Sequence, residues 1–447
     1  MRVHDSAPHG RLVSTRLANG LTVVAQEDRV LDGLHIHLRY DVGSRHEPPG
    51  LHGVAHFIEH LMFEGTPGHP DFFGELQHRG AWGVNASTSQ DRTAFFMTVP
   101  TALLPRALAM EADRMAHLPR TLDEAALARH LTLIGREEEE RTRGPLAEAP
   151  GHLFAQAFPL SHPYRHVSMG DTKALARLTP EQVAAFHREY YRPERATLVV
   201  VGDLPAEAAI DTAIESLGTV DRGPAPSLHP PSAYPPRHAA RTDDAHGRTD
   251  TSGGGTRWAV CPPGIPPQVY VLAHTAPHGT REHVATTVLA AVLGRGKGSR
   301  LFRRAVRDAR VARPATELTA AWHLEHGSSV IFGSATATAG TTGAQLRARV
   351  QEIITSVAHG LTPGELERAV RLVRREQLER LDDPAARAET FATHLSLHGD
   401  PWKAYATAEA IADITEEEVT HAAREYLPSA TYLVYDHPAR DTSQAAA

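Results

Sequence analysis

The stretch LTPEQVAAFHREYYRPERATLVVVGD, residues 178–203, has a near copy in ITEEEVTHAAREYLPSATYLVYDH, residues 414–437. In each, a Thr (Thr179, Thr415) precedes an acidic or Gln-bearing turn and is placed to cap a helix, and an amphipathic pattern then runs to Arg-Glu-Tyr. An apolar strand follows. Leu178 and Ile414, like Tyr190 and Tyr426, are offset by 236 residues, which points to an internal duplication of one α/β unit rather than a solenoid. Between the copies lies GPAPSLHPPSAYPPRHAARTDDAHGRTDTSGGG, residues 223–255, with almost no apolar periodicity. Such a composition makes a linker.

Working back toward the N-terminus, Thr15-Arg16-Leu17 and Leu21-Thr22-Val23-Val24 flank the turn residues Asn19-Gly20, a hairpin signal. Leu34 to Tyr40 alternates as a strand. Helices are expected around Val54 to Phe63 and Pro70 to Arg79, strands near Trp82 to Ser87 and Thr93 to Val99, and long helices beyond. Hairpins followed by helices give the α+β class: two homologous α/β-sandwich domains, each a largely antiparallel sheet packed with helices, joined by the Pro/Gly-rich linker. The expected boundaries are 1–222, a linker over 223–256, a second domain over 257–438 and a disordered tail over 439–447.

Composition agrees with a folded chain of more than one core. Its 447 residues exceed one ordinary domain, and 41% hydrophobic with 22% charged residues lies near the globular average. The net charge of -7 and the lack of basic clusters interleaved with aromatics speak against nucleic acid as a partner. Cys261 is the sole cysteine, so a metal would need His, Asp or Glu. No stretch has the apolar length of a secretory leader or a membrane span, so the expectation is a cytoplasmic protein without a membrane partner.

The chemistry concentrates in Gly53-Val54-Ala55-His56-Phe57-Ile58-Glu59-His60-Leu61-Met62-Phe63. On a helix, His56 and His60 share one face, so two imidazoles can bind one ion. Glu59 lies beside the pair, where it can take a proton from a water on that ion. Two imidazoles and a carboxylate suit zinc best, and zinc acidifies water and polarises a carbonyl.

HFIEHLMFEGT resembles the zinc-helix signature of the pitrilysin or insulinase family, with the inverzincin order H-x-x-E-H, and especially its half-length mitochondrial-processing-peptidase-like branch. Asn85-Ala86-Ser87-Thr88, with Asp91 and Thr93, is similar to the family's strand beside the site. The resemblance implies a zinc endopeptidase with one Zn2+ per chain, Glu59 as general base, and His56, His60 and Glu137 as ligands, Glu137 standing 77 residues after His60. It also implies that Asn85 and Ala86 hold an extended peptide substrate along a strand edge, a mode that needs only unpaired backbone amides. Where the family has a Glu seven residues before the ligand, this chain has His130, expected to stand behind the ligands.

Leu293 to Phe302, with its Gly-Arg-Gly-Lys-Gly core, lacks the order of a phosphate-binding loop and is similar to a glycine-rich turn in the family's second domain. The family follows that turn with an Arg and, a few residues on, a Tyr that hold substrate. Arg307 matches the Arg, while Arg313 stands where the Tyr would be. That departure implies a metal-bearing subunit paired with a homologous one, as a heterodimer or homodimer. The substrates implied are short or unfolded peptides, including precursor or leader peptides; the alternative is a non-catalytic scaffold or peptide-binding subunit of such a peptidase.

Overall fold

The apolar run Ala196–Gly202 is buried along its whole length, and a strand with two apolar faces needs a covering layer on each side. The computed structural model, which describes residues 1–5, 8–118, 122–170, 172–223, 255–314, 317–322 and 327–438, supplies both. The expected linker falls almost wholly outside the described residues, and the expected tail does so entirely.

Seven strands build the first sheet: β1 (Arg2–His4), β2 (Leu12–Arg16), β3 (Thr22–Glu27), β4 (Leu34–Tyr40), β5 (Trp82–Thr88), β6 (Thr93–Val99) and β7 (Ala196–Gly202), in the order β1-β2-β3-β7-β4-β6-β5. All neighbours are antiparallel except β3 with β7. The second sheet has five: β8 (Thr256–Val260), β9 (Gln268–Pro277), β10 (Glu317–Trp322), β11 (Ser328–Thr336) and β12 (Thr431–Asp436), in the order β10-β11-β9-β12-β8. Here, among the described residues, the single parallel pair is β12 with β8. β7 and β12, the strands of the two sequence copies, thus each carry the one parallel pairing of their sheet.

The helices are α1 (Val54–Leu61), α2 (Phe72–His78), α3 (Leu104–His117), α4 (Glu124–Thr142), α5 (Ala149–Ala157), α6 (Thr172–Leu175), α7 (Pro180–Tyr190), α8 (Ala206–Ser216), α9 (Arg281–Gly294), α10 (Gly343–Thr355), α11 (Glu365–Asp382), α12 (Pro384–His398), α13 (Lys403–Ala412) and α14 (Glu416–Tyr426). Thr179 and Thr415 form full capping boxes with Gln182 and Glu418, so the repeated motif starts two equivalent helices, α7 and α14. Among the described residues no helix is long and apolar enough to cross a membrane.

The compact units are not contiguous in sequence, unlike the simple split expected at the linker. One combines Met1–Arg141, the segment that begins at His166, and Gln377–Ala406; the other combines Thr142–Arg165, the segment that ends at Glu376, and the segment from Thr407 onward. The reason is the second face of each sheet. In the first unit, Val23, Leu38, Leu198 and Val200 pack into the main core with α1, α3, α7 and α8, while Leu12, Val24, Val199 and Val201 pack on the opposite face against Phe391, Ala388 and Ala392 of α12. In the second, β9 and β12 pack on one face with α9, α10 and α14, and Leu272, Leu433 and Tyr435 on the other with Leu153 and Phe154 of α5. Each sheet is covered on one side by a helix from the far half of the chain.

Candidate metal centre

α1 is preceded by Gly53, whose positive φ of 101° suits glycine, and followed by Met62. Its apolar residues Val54, Ala55, Phe57, Ile58 and Leu61 are buried in the main core, which leaves the face bearing His56, Glu59 and His60 for the site. α4 brings Glu137 to that face. His60 Nε2 lies 3.2 Å from His56 Nε2 and 3.2 Å from Glu137 Oε2, and His56 Nε2 lies 3.5 Å from Glu137 Oε2. Tetrahedral zinc with bonds of about 2.0–2.1 Å puts its ligand atoms about 3.4 Å apart, so this triangle has the dimensions that such an ion requires. The donor set, two imidazoles and one carboxylate, is also zinc chemistry.

The electrostatics favour the same use. Burial, reinforced by neighbouring His60 and opposed by Glu137, holds the His56 imidazole down at about 4. It is therefore neutral at physiological pH, the form in which it can ligate. Glu59 is pushed up to about 7 by burial, with the Thr88 hydroxyl beside it drawing it down and Glu137 raising it further.

β5, which carries Asn85 and Ala86, is the last strand of its sheet and is paired only with β6 among the described residues. Asn85 is opposite Phe96, and its Oδ1 accepts the Ala86 N–H at 2.9 Å. The pairing shifts register between Trp82 and Asn85, around Gly83 at φ 61°. The irregularity interrupts the pairing of this edge strand ahead of Asn85.

His130 is buried, stands edge-on to Phe57 and directs Nε2 at Glu64 Oε1, 3.0 Å away. It is not part of the triangle; it ties α4 to the end of α1. Arg307 belongs to the other unit, on the helical turn Phe302–Asp308, where it is exposed and paired with Asp308 at 2.8 Å. Arg313 donates from Nε to the Ala337 carbonyl at 3.2 Å. Glu47 and Arg114, whose side chains meet the backbone at the two ends of α1, carry no signal in the sequence. A buried Glu just ahead of a helix and a buried Arg opposite an aromatic pair leave no spacing signal.

Two family models match the chain: "Insulinase (Peptidase family M16)" over residues 22–168 and "Peptidase M16 inactive domain" over residues 177–373. The zinc protease PqqE of Helicobacter pylori is 30% identical over 305 residues, 67% of this chain and 64% of that protein. The probable mitochondrial-processing peptidase subunit beta of Schizosaccharomyces pombe is 28% identical over 239 residues, 52% of each. The aligned region thus spans less than two thirds of either relative. An uncharacterized zinc protease of Streptomyces coelicolor is 25% identical over 443 residues, 97% of this chain and 91% of its own. Among solved structures, a protease from Helicobacter pylori superposes with a TM-score of 0.84 at 23% identity, covering 96% of this chain and 99% of that one. A putative M16-like peptidase from Alicyclobacillus acidocaldarius gives 0.77 at 19% identity, covering 98% and 99%.

Proposed function

Because the chain belongs to the insulinase (M16) family of peptidases, we propose that it is a zinc-dependent endopeptidase acting on short or unfolded peptides, precursor or leader peptides among them. The observation that carries this reading is the triangle of His56, His60 and Glu137 with Glu59 on the same helix face. An ion held there would supply a Lewis acid for the scissile carbonyl and lower the pKa of a water.

The residues of the chain do the rest. Glu59, raised to about 7, sits where a group that accepts a proton and then returns it works best near neutral pH. The open edge of β5 offers backbone groups to an extended peptide, with Asn85 and Ala86 beside the reacting bond. A folded substrate presents no such strand, which restricts the reaction to extended segments.

Completion of the site by a homologous partner, as a heterodimer or homodimer, is part of the proposal. Its support is the match of residues 177–373 to an inactive domain, Arg313 in place of the family's Tyr, and a relative named as a subunit. The same match favours one second reading, a peptide-binding or scaffold subunit that holds zinc without turnover. The proposed location is the cytoplasm.

The test is to purify the chain alone and with any co-encoded relative, measure bound zinc, and follow cleavage of a quenched peptide library. Glu59→Gln should keep the zinc and lose cleavage by roughly 100-fold or more, the upper part of what a positioned acid–base group contributes. Equal cleavage by that variant sinks the mechanism. Stoichiometric zinc with no cleavage in either preparation selects the second reading.

A further inference from the structure

α1 lacks a side-chain cap at Gly53, although the first amides of any helix need acceptors. Glu47 supplies them from six and eight residues upstream: Oε2 accepts the Gly53 N–H at 2.8 Å and Oε1 the Ala55 N–H at 3.0 Å. The Leu51 carbonyl takes the Val54 N–H between them. The Glu47 carboxylate is fully enclosed, and His166 Nε2 approaches its Oε2 at 3.3 Å. Packing closes the arrangement from outside, because a Cβ on Gly53 would meet the Met169 carbonyl at 2.6 Å and one on Gly170 would meet the Gly53 nitrogen at 2.3 Å.

At the other end of α1 a buried ion pair turns its cation to the backbone. Arg114 of α3, 1% exposed, donates from Nη1 to the Met62 carbonyl at 2.9 Å. Its guanidinium is held by Glu111 through Nε at 3.0 Å and Nη2 at 2.6 Å, and lies 4.4 Å from the ring centres of both Phe72 and Phe95. The Glu47 carboxylate complements the N-terminal end of the helix dipole, and the Arg114 guanidinium, paired with Glu111, supplies a donor at the C-terminal end.

We infer that Glu47 and Arg114 are positioning residues for the metal centre: a buried charge clamp sets where α1 presents His56 and His60, and so sets zinc affinity. The inference rests on the zinc reading of the triangle. Glu47, His52 and His166 place donor atoms within 4.8 Å of one another, a spacing that a second cation also accepts. The hydrogen bonds oppose that use. Both Glu47 oxygens already accept amides, and His166 Nε2 lies 3.1 Å from the Ser44 carbonyl, so an ion there would compete with three contacts to the backbone.

The experiment measures zinc stoichiometry and dissociation constants by competition with a chromophoric chelator, for the wild type, Glu47→Gln, Glu47→Asp and Arg114→Met. Glu365→Gln, which breaks the buried Arg300–Glu365 pair of the other unit, serves as the control for mere destabilisation. Circular dichroism and unfolding of the metal-free forms accompany each measurement. Gln turns an N–H2 toward one of two amides that need an acceptor, so Glu47→Gln should weaken zinc binding about 10- to 100-fold, the range for residues that orient ligands. Arg114→Met should weaken it similarly, Glu47→Asp should recover part of the loss, and Glu365→Gln should leave affinity unchanged. One zinc held equally tightly by the wild type, Glu47→Gln and Arg114→Met overturns the clamp alone, as does affinity that merely tracks metal-free stability across all variants. Two zinc ions on the wild type, falling to one in Glu47→Gln, also overturn it, by making the cluster a metal site. A wild type that binds no zinc removes the metal reading itself and the clamp with it.

Discussion

Glu137 opens the run Glu137-Glu138-Glu139-Glu140, and within that run only helical phase separates a ligand from a solvated acid. α4 turns about 100° per residue, so Glu137 alone of the four points its carboxylate at both imidazoles, 3.2 and 3.5 Å away. Glu137→Gln should therefore weaken zinc binding beyond the roughly 100-fold seen when only a ligand's neighbour is lost. Glu140→Gln should leave zinc per chain unchanged after dialysis. Equal loss in both variants would mean that the acids act as a diffuse negative patch. The two histidines and Glu59 were legible because four- and three-residue spacings translate directly into a shared helix face. Glu137 was legible only through a family spacing, since no local pattern links residues 77 apart. Glu47 and Arg114 could not be read at all, because their roles exist only once α1 is packed against its neighbours.

At the level of elements, the strands and helices of the first half follow from periodicity. The Asn19-Gly20 turn, with Gly20 at φ 95°, joins β2 to β3, and β4 occupies the expected Leu34 to Tyr40. What β4 conceals is its second face. His35, His37 and Arg39 alternate with core residues as a surface strand would, yet all are buried on the side where Arg39 meets Thr393 and Asp41 meets Ser396, both of α12. Alternation reports polarity, and a polar face can be covered as well as solvated. Burial in that layer holds His35 down at about 4, slightly opposed by Asp383. Above the ordinary value of 6.5, folded and unfolded forms are both neutral and the group contributes nothing. Between 6.5 and about 4 only the unfolded form gains a proton, so stability falls as the pH drops through that window. Between pH 7.5 and pH 5 the loss from His35 should be about 2 kcal/mol. His35→Gln, which cannot take that proton, should narrow the gap between urea unfolding free energies at those two pH values by about that amount. An unchanged gap would assign the acid lability elsewhere. Phe391, fully buried between α12 and the same sheet, tests the layer by packing: Phe391→Ala should cost about 3–5 kcal/mol, measurable by the same urea titration.

At the scale of the whole molecule, the duplication was visible in two matching strings, but the exchange of α5 and α12 between units was not. β7 announces two apolar faces through its uninterrupted Ala196–Gly202 run; nothing local says which helix will cover the second one. All three members of the metal triangle nevertheless lie in one compact unit, within Met1–Arg141. Zinc should therefore stabilise that unit by linkage, because the three donors converge only when α1 and α4 are both in place. Free zinc at a hundred times its dissociation constant adds about 2.7 kcal/mol. For a unit of this size each kcal/mol moves the midpoint roughly 2–4 °C, so removing zinc with a chelator should lower the first thermal transition by about 5–10 °C. Restoring zinc should reverse the shift. His60→Ala, which deletes the donor shared by both 3.2 Å edges, should unfold at the same temperature with and without the chelator. A zinc-dependent shift that persists in His60→Ala would locate the stabilising ion outside the triangle, and no shift in the wild type would mean that the triangle closes without needing one.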